Sequence, residues 1–241
     1  MPKYRSICVV IPAYNEERLI ATTLASIPGF IKAIAVVDDC STDRTRAVVD
    51  SFEDERVHLL VHEDNRGVGA AIVSGYRWAM NAGFELVVVM GGDGQMHPDD
   101  LPALLAPLVR GEADYVKGNR LAHPATPRVM PKWRYFGNRI LSRFTRYTSG
   151  YQDIDDSQCG YTVVTTDILR KIDLTNIYRR YGFPNDLLAH LHSVGARIRN
   201  VEVRPVYENE ETGITPLGAV FSLSWVLLRS WTMRLNRERH N

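Results

Sequence analysis

Short apolar runs at residues 7–11, 33–37, 57–61, 86–90 and 115–116 alternate with segments whose apolar residues return at helical spacing, 17–27, 43–52, 69–82 and 98–110. This alternation is the strongest constraint on the fold. Each intervening helix carries the chain back across the sheet, so the next strand lies parallel to the last. The expected class is therefore α/β, a mostly parallel central sheet flanked by helices. Asp43 and Asp99 stand where helix N-termini favour acids, and Pro98 suits a first helical turn.

The second half changes character. Residues 128–146 hold Arg128, Lys132, Arg134, Arg139, Arg143 and Arg146 and no acid, with Trp133, Phe136, Ile140, Leu141 and Phe144 recurring at helical spacing. That pattern predicts an amphipathic basic helix. A polar loop at 152–158, a strand at 161–165, a helix at 185–194 and a strand at 198–203 are expected next. A last apolar helix is expected over 216–235, with Trp225, Trp231 and a tail of Arg229, Arg234, Arg237 and Arg239.

Composition narrows the function classes. With 29 Lys and Arg against 28 Asp and Glu, no global field points to nucleic acid. Cys8, Cys40 and Cys159 lie far apart, so neither a disulfide framework nor a cysteine metal site is expected. The histidines, among them His58, His62, His97, His190 and His192, show no zinc-ligand pairing. No leader pattern and no run of about 18 apolar residues occurs. The expected location is cytoplasmic, peripheral on the cytoplasmic face of the membrane.

Three strand ends carry chemistry. The run at 86–90 opens into Gly91-Gly92-Asp93-Gly94-Gln95-Met96-His97-Pro98, delivering a carboxylate and an amide two residues apart. Oxygen ligands of this kind suit a hard cation bridging a diphosphate. Val9-Val10-Ile11-Pro12-Ala13-Tyr14-Asn15-Glu16-Glu17 and Val36-Val37-Asp38-Asp39-Cys40-Ser41-Thr42-Asp43 end strands on the same sheet edge. Alone, each reads as a turn followed by a helix, with Ser41 or Thr42 as cap. Together they line the edge where open α/β sheets bind ligands. Gly67-Val68-Gly69 is no dinucleotide fingerprint, lacking a third glycine at the required spacing after a strand.

These segments, with Asn65-Arg66-Gly67-Val68-Gly69 and Gly75, resemble the family 2 glycosyltransferases of GT-A fold over about residues 6–206. The resemblance implies that Pro12, Tyr14 and Glu16 line the base and ribose pocket together with Gly67. It implies that Asp39 bonds the nucleobase, that Asp93 and Gln95 meet Mg2+ or Mn2+ and the diphosphate, and that Lys117 or Arg120 contacts the phosphates. Two departures stand out: Gly91 where the family often has Asp, and Cys40 where it often has Gly.

Asp156-Ser157-Gln158-Cys159-Gly160-Tyr161 and Gly182-Phe183-Pro184-Asn185-Asp186-Leu187-Leu188 resemble the dolichyl- and polyprenyl-phosphate sugar synthases, although 212–215 lack that group's usual lysine and upstream arginine. The implied reaction is inverting transfer from a UDP- or GDP-linked sugar to a dolichyl, undecaprenyl or decaprenyl phosphate. Asp93, Arg120, Asp156 and Asp186 are the catalytic candidates, with Asp156 or Asp186 orienting the acceptor. A glycan or soluble hydroxyl acceptor, or a non-catalytic nucleotide-sugar module, are the alternatives. One GT-A domain is expected over 1–212, a nucleotide-sugar half to 120 and an acceptor half beyond. Residues 213–241 would form an amphipathic helix against an anionic membrane surface, a membrane-protein partner or a second copy. The basic aromatic helix supports membrane contact, since its cations suit anionic head groups and its rings the acyl boundary.

Overall fold

A computed structural model of the protein describes residues 6–207 and 216–238. Seven strands, β1 (Ile7–Ala13), β2 (Ala33–Asp38), β3 (Val57–Val61), β4 (Leu86–Val89), β5 (Tyr115–Asn119), β6 (Thr162–Thr165) and β7 (Ile198–Glu202), form one sheet in the order β3-β2-β1-β4-β6-β5-β7. All pairs are parallel except those of β6, which runs antiparallel between β4 and β5. The expected mostly parallel sheet is thus present.

Alternation along each strand feeds two apolar layers. Cys8 and Val10 of β1 face α3 (Val68–Asn81) and α8 (Phe183–Ser193), while Val9 and Ile11 face α1 (Ile20–Ser26), α2 (Thr45–Asp50) and α4 (Leu101–Val109). Burial on both faces explains why these strands read as continuous apolar runs. Gly75 lets α3 lie on the sheet, because a Cβ there would stand 2.2 Å from a Val10 methyl.

Strand order reverses beside β1. The chain moves outward from β1 to β2 and β3, then returns to place β4 on the other flank of β1. Loops leaving such a switch point diverge, opening a crevice at the strands' C-terminal ends.

Several boundaries differ from expectation for local reasons. The helix expected from residue 17 begins at Ile20, because the backbone N–H groups of Glu16 and Glu17 bond to Thr45 Oγ1 and Asp43 Oδ2. The one expected over 98–110 splits into a 3-10 turn, Pro98–Asp100, and α4. Two short helices, α5 (Thr126–Val129) and α7 (Thr166–Leu169), were not expected.

The basic helix forms as α6 (Lys132–Ser149), docked through small hydroxyl residues with its aromatic stripe outside. It buries Ser142, Thr145, Thr148 and Ser149 and leaves Trp133 72% exposed, with Phe136, Ile140, Phe144 and Tyr147 also outside. Polar partners beneath account for this: Ser157 N donates to Ser142 Oγ at 2.9 Å, and Asn185 Nδ2 donates to Thr145 Oγ1. The final helix, α9 (Pro216–Glu238), packs on α8 and α6 and exposes Trp225, Leu228 and Trp231. Gly182 permits that packing, as a Cβ there would stand 2.5 Å from Val226. No described helix is long and apolar enough to cross a membrane. Residues 212–215 and Arg239 lie outside the described residues.

Candidate active site

The crevice is a cleft of about 340 Å³ whose lining includes Pro12, Tyr14, Glu16, Asp39, Gly67 and Asp93. These six come from four separate segments, so the fold gathers the expected donor-site residues in one place. Asn65 and Ala71 also line the cleft and were not among the expected site residues.

The loops after β1 and β2 hold each other. Asn15 N donates to Ser41 Oγ at 3.0 Å, and Asn15 Oδ1 accepts from Thr42 N at 2.8 Å. Ser41 and Thr42 therefore serve the neighbouring loop rather than capping α2, while Asp43 Oδ1 accepts from Thr45 N at 2.9 Å. Cys40 takes a glycine-like φ of 64°, so the turn keeps a left-handed geometry at a residue for which that conformation is uncommon.

Asp39 is buried and densely bonded. Its Oδ1 accepts from Arg66 N at 2.9 Å and from His62 Nδ1 at 2.7 Å, and its Oδ2 accepts from Gly67 N at 2.7 Å. The other ring nitrogen of His62 lies 2.9 Å from Ser74 Oγ. Gly67 adopts φ 92° against the chain at 179–180, where a Cβ would stand 2.6 Å from Arg179 O. The sequence raises His62 only as a zinc ligand, since no local pattern marks a histidine that meets a carboxylate 23 positions away.

Asp93 stands between this cleft and a wider one of about 940 Å³ that includes Arg18, Thr22, His97 and Tyr207. Its Oδ1 accepts from Gln95 N at 3.1 Å. Gln95 itself lines a small adjoining recess with Met96 and Arg120 and does not line either cleft with Asp93. Asp93 thus supplies the carboxylate of the expected metal pair to the cleft, and the Gln95 backbone is bonded to it. Gly91 leaves that carboxylate its room: a Cβ there would stand 2.7 Å from Asp93 Oδ1. Among the described residues no three His, Cys, Asp or Glu side chains cluster as a metal cage. The donor set fits a magnesium-like ion that keeps waters and takes phosphate oxygens beside one protein carboxylate.

Three further candidates are corrected by burial. Lys117 is 0% exposed and donates from Nζ to Cys159 O at 2.6 Å, so it offers phosphates no direct contact. Asp156, also fully buried, is gripped by Arg120, with Nε to Oδ2 at 2.8 Å and Nη2 to Oδ1 at 3.0 Å. It holds Arg120 in place and is not free to orient an acceptor. Asp186 is buried in the first turn of α8, where Oδ2 accepts from Tyr178 N at 2.8 Å, and His190 and Arg229 approach to 3.5 Å. It fastens α9 to α8 instead of facing a cleft. Arg120 remains the accessible cation of the group, its side chain 13% exposed.

Burial lowers the Lys117 pKa to about 8, the Arg120 charge adding to the effect and Asp156 opposing it. Between about pH 8 and its ordinary value of 10.5, the unfolded chain binds the proton that the folded chain has released. Stability contributed at this position therefore rises with pH across that window. Urea unfolding across it is expected to show the rise in the parent and its loss in Lys117→Met; an identical slope in both would refute the linkage.

A second groove, of about 440 Å³, runs beside α6. Phe136, Arg139, Ile140, Arg143 and Arg146 line one side and Asn119 and Leu121 another. Arg146 is paired with Asp155 at 2.6 Å. Among the described residues no carboxylate lies within ion-pair distance of Arg139 or Arg143.

Comparison with known proteins identifies the family and the fold. The glycosyl transferase family 2 model matches residues 8–173. An undecaprenyl-phosphate mannosyltransferase of Micrococcus luteus is 31% identical, over 96% of each chain. A UDP-N-acetylglucosamine–dolichyl-phosphate N-acetylglucosaminyltransferase of Methanococcus voltae is 29% identical, over 83% of this chain and 86% of that one. The crystal structure of glucosyl-3-phosphoglycerate synthase from Mycobacterium tuberculosis superposes with a TM-score of 0.72 at 22% identity, covering 95% of this chain and 80% of the other. The fold shared with that structure is the expected GT-A architecture.

Proposed function

The chain belongs to glycosyl transferase family 2, and from that premise we propose that this glycosyltransferase moves a sugar from a nucleoside-diphosphate sugar to a polyprenyl phosphate at a membrane surface. The observation that carries the acceptor is α6, which hides its hydroxyls and presents arginines and aromatic rings together. An acceptor that joins an anionic phosphate to a long apolar tail needs that combination. The activities of the Micrococcus luteus and Methanococcus voltae relatives support the same acceptor class.

In this reading the nucleoside lies against Pro12, Tyr14 and Asp39, and its diphosphate reaches Asp93. Mg2+ or Mn2+, held by Asp93, would neutralise charge on the departing diphosphate. Arg120, fixed by Asp156, adds a positive charge beside that corner. An acceptor phosphate oxygen forms its bond to the anomeric carbon as the bond to the diphosphate breaks, inverting that centre. A phosphate monoester has a second pKa near 6, so it is largely dianionic at neutral pH and requires no general base. The pairing of Asp156 and Asp186 inside the protein is consistent with that economy. Alignment, and relief of repulsion between two anions, become the protein's tasks.

Flotation tests the surface. The protein is expected to rise with vesicles of phosphatidylcholine and phosphatidylglycerol at low salt, and less so at high salt, where charges are screened. The Trp133→Ala/Phe136→Ala/Phe144→Ala variant should stay behind while retaining nucleotide binding. Failure of the parent to float at low salt would sink the membrane reading. Transfer to polyprenyl phosphate, measured with a panel of nucleotide sugars, tests the acceptor directly.

A further inference from the structure

We infer that the donor cleft selects uracil over guanine, and that His62 is the positioning residue that sets this choice. The inference rests on the nucleotide reading of the cleft and goes beyond it by naming the base.

The argument is a count of acceptor sites on one carboxylate. An ionised carboxylate has about four, two on each oxygen. On Asp39, Oδ1 already accepts from Arg66 N and from His62 Nδ1, while Oδ2 accepts from Gly67 N. One site remains, on Oδ2. Asp39 is buried yet lines the cleft, so that remaining site is what the carboxylate can present to a base.

Uracil carries a single N–H donor on its edge, N3–H, and one acceptor satisfies it. Guanine carries N1–H and its 2-amino group side by side, and both carboxylate oxygens are needed to receive them. With Oδ1 filled, one guanine donor would be desolvated without a partner, a larger penalty than the mere absence of a bond.

His62 keeps Oδ1 filled. Its ring is buried, and Nδ1 faces a carboxylate and so carries the proton it donates. Its far nitrogen is engaged by Ser74 Oγ at 2.9 Å, which holds the ring in the plane it needs. Arg66 N and Gly67 N belong to the backbone and are unchanged by any substitution except proline. His62 is the side chain through which the acceptor count can be changed. It touches no substrate and acts through Asp39.

Titration calorimetry of the full chain with UDP and with GDP, each with Mg2+, tests this. Metal and diphosphate are common to both ligands, so the ratio of the two affinities reports the base alone. UDP is expected to bind about ten-fold more tightly than GDP. His62→Phe should weaken UDP and bring the ratio toward one, because Oδ1 regains a free acceptor site. His62→Asn, which keeps an N–H near the Nδ1 position, should hold the ratio close to that of the parent. GDP binding as tightly as UDP in the parent overturns the uracil assignment, a result that does not depend on any variant folding. A folded His62→Phe protein, judged by its thermal melt, with an unchanged ratio overturns the role of His62. Binding of neither nucleotide overturns the cleft reading and this inference with it, whereas equal binding overturns the inference alone.

Discussion

Asp93→Ala is expected to lose sugar transfer by about 10²–10³-fold while melting at the parent temperature. The side chain is half-exposed in the cleft, and its hydrogen bond to Gln95 N is the contact the protein gives it. Removing such a group changes stability little, within about 0.5 kcal/mol. It does remove the carboxylate that would hold the cation against the diphosphate. Asp93→Asn separates the two effects: it keeps an oxygen for Gln95 N but discards the charge, so it should resemble the alanine variant in rate. The neighbouring position adds a steric check. Gly91→Ala would push its methyl toward Asp93 Oδ1, turning the carboxylate and raising the concentration of Mg2+ or Mn2+ needed for half-maximal rate. Full turnover in Asp93→Ala would show that the diphosphate corner lies elsewhere.

Asp156→Ala should be strongly destabilising, by about 3–5 kcal/mol, because it leaves Arg120, with its side chain only 13% exposed, without its counter-charge. Asp156 also opposes the lowering of the Lys117 pKa by burial, so in the variant the Lys117 ammonium loses a stabilising charge as well. Replacing both partners, Arg120→Met with Asp156→Leu, should recover much of that loss while remaining inactive, since no guanidinium then stands beside Gln95. Urea unfolding compares the two; equal stability of Asp156→Ala and the parent would show that the pair carries no structural weight. The pH dependence has a definite sign. Burial pushes the Asp156 carboxyl up, but the charge and hydrogen bonds of Arg120 outweigh it and hold the carboxyl below its ordinary range. The pair's stabilisation is therefore present above the ordinary carboxylate pKa of about 3.9 and is lost as pH falls below it.

Much of the lining of the proposed donor cleft could be read directly from the chain. Pro12, Tyr14, Asp39 and Asp93 each follow an apolar run within a few residues, and parallel strands deliver their C-terminal ends to one edge. Gly67 and Gly75 were visible for a related reason, since each marks a close approach that a Cβ would obstruct. Lys117 and Arg120 show the opposite case. They lie three positions apart in one segment, yet Lys117 falls inside the buried strand β5 while Arg120 comes just past its end and reaches a recess.

Asp186 misled for a similar reason. Its position in the first turn of α8 is local and was foreseeable, but its partners Tyr178, His190 and Arg229 come from the preceding loop, the next turn and α9. Nothing in the spacing of the acids distinguished a carboxylate that faces a cleft from one that ties helices together.

By itself, the sequence determined the alternation of strands and helices, the sheet edge on which chemistry collects, and the single carboxylate of the Gly91–His97 corner. These are short-range properties, carried by period, by glycine and by the residue that ends a strand. Tertiary structure alone decided that His62 and two backbone amides occupy Asp39, that Asp156 serves Arg120, and that α6 docks through Ser142, Thr145, Thr148 and Ser149. The physical reason is common to all three. A helix or strand declares its faces through its own pattern, but which face is covered depends on the partner, and beneath α6 that partner offers Ser157 and Asn185, which reward hydroxyls instead of rings.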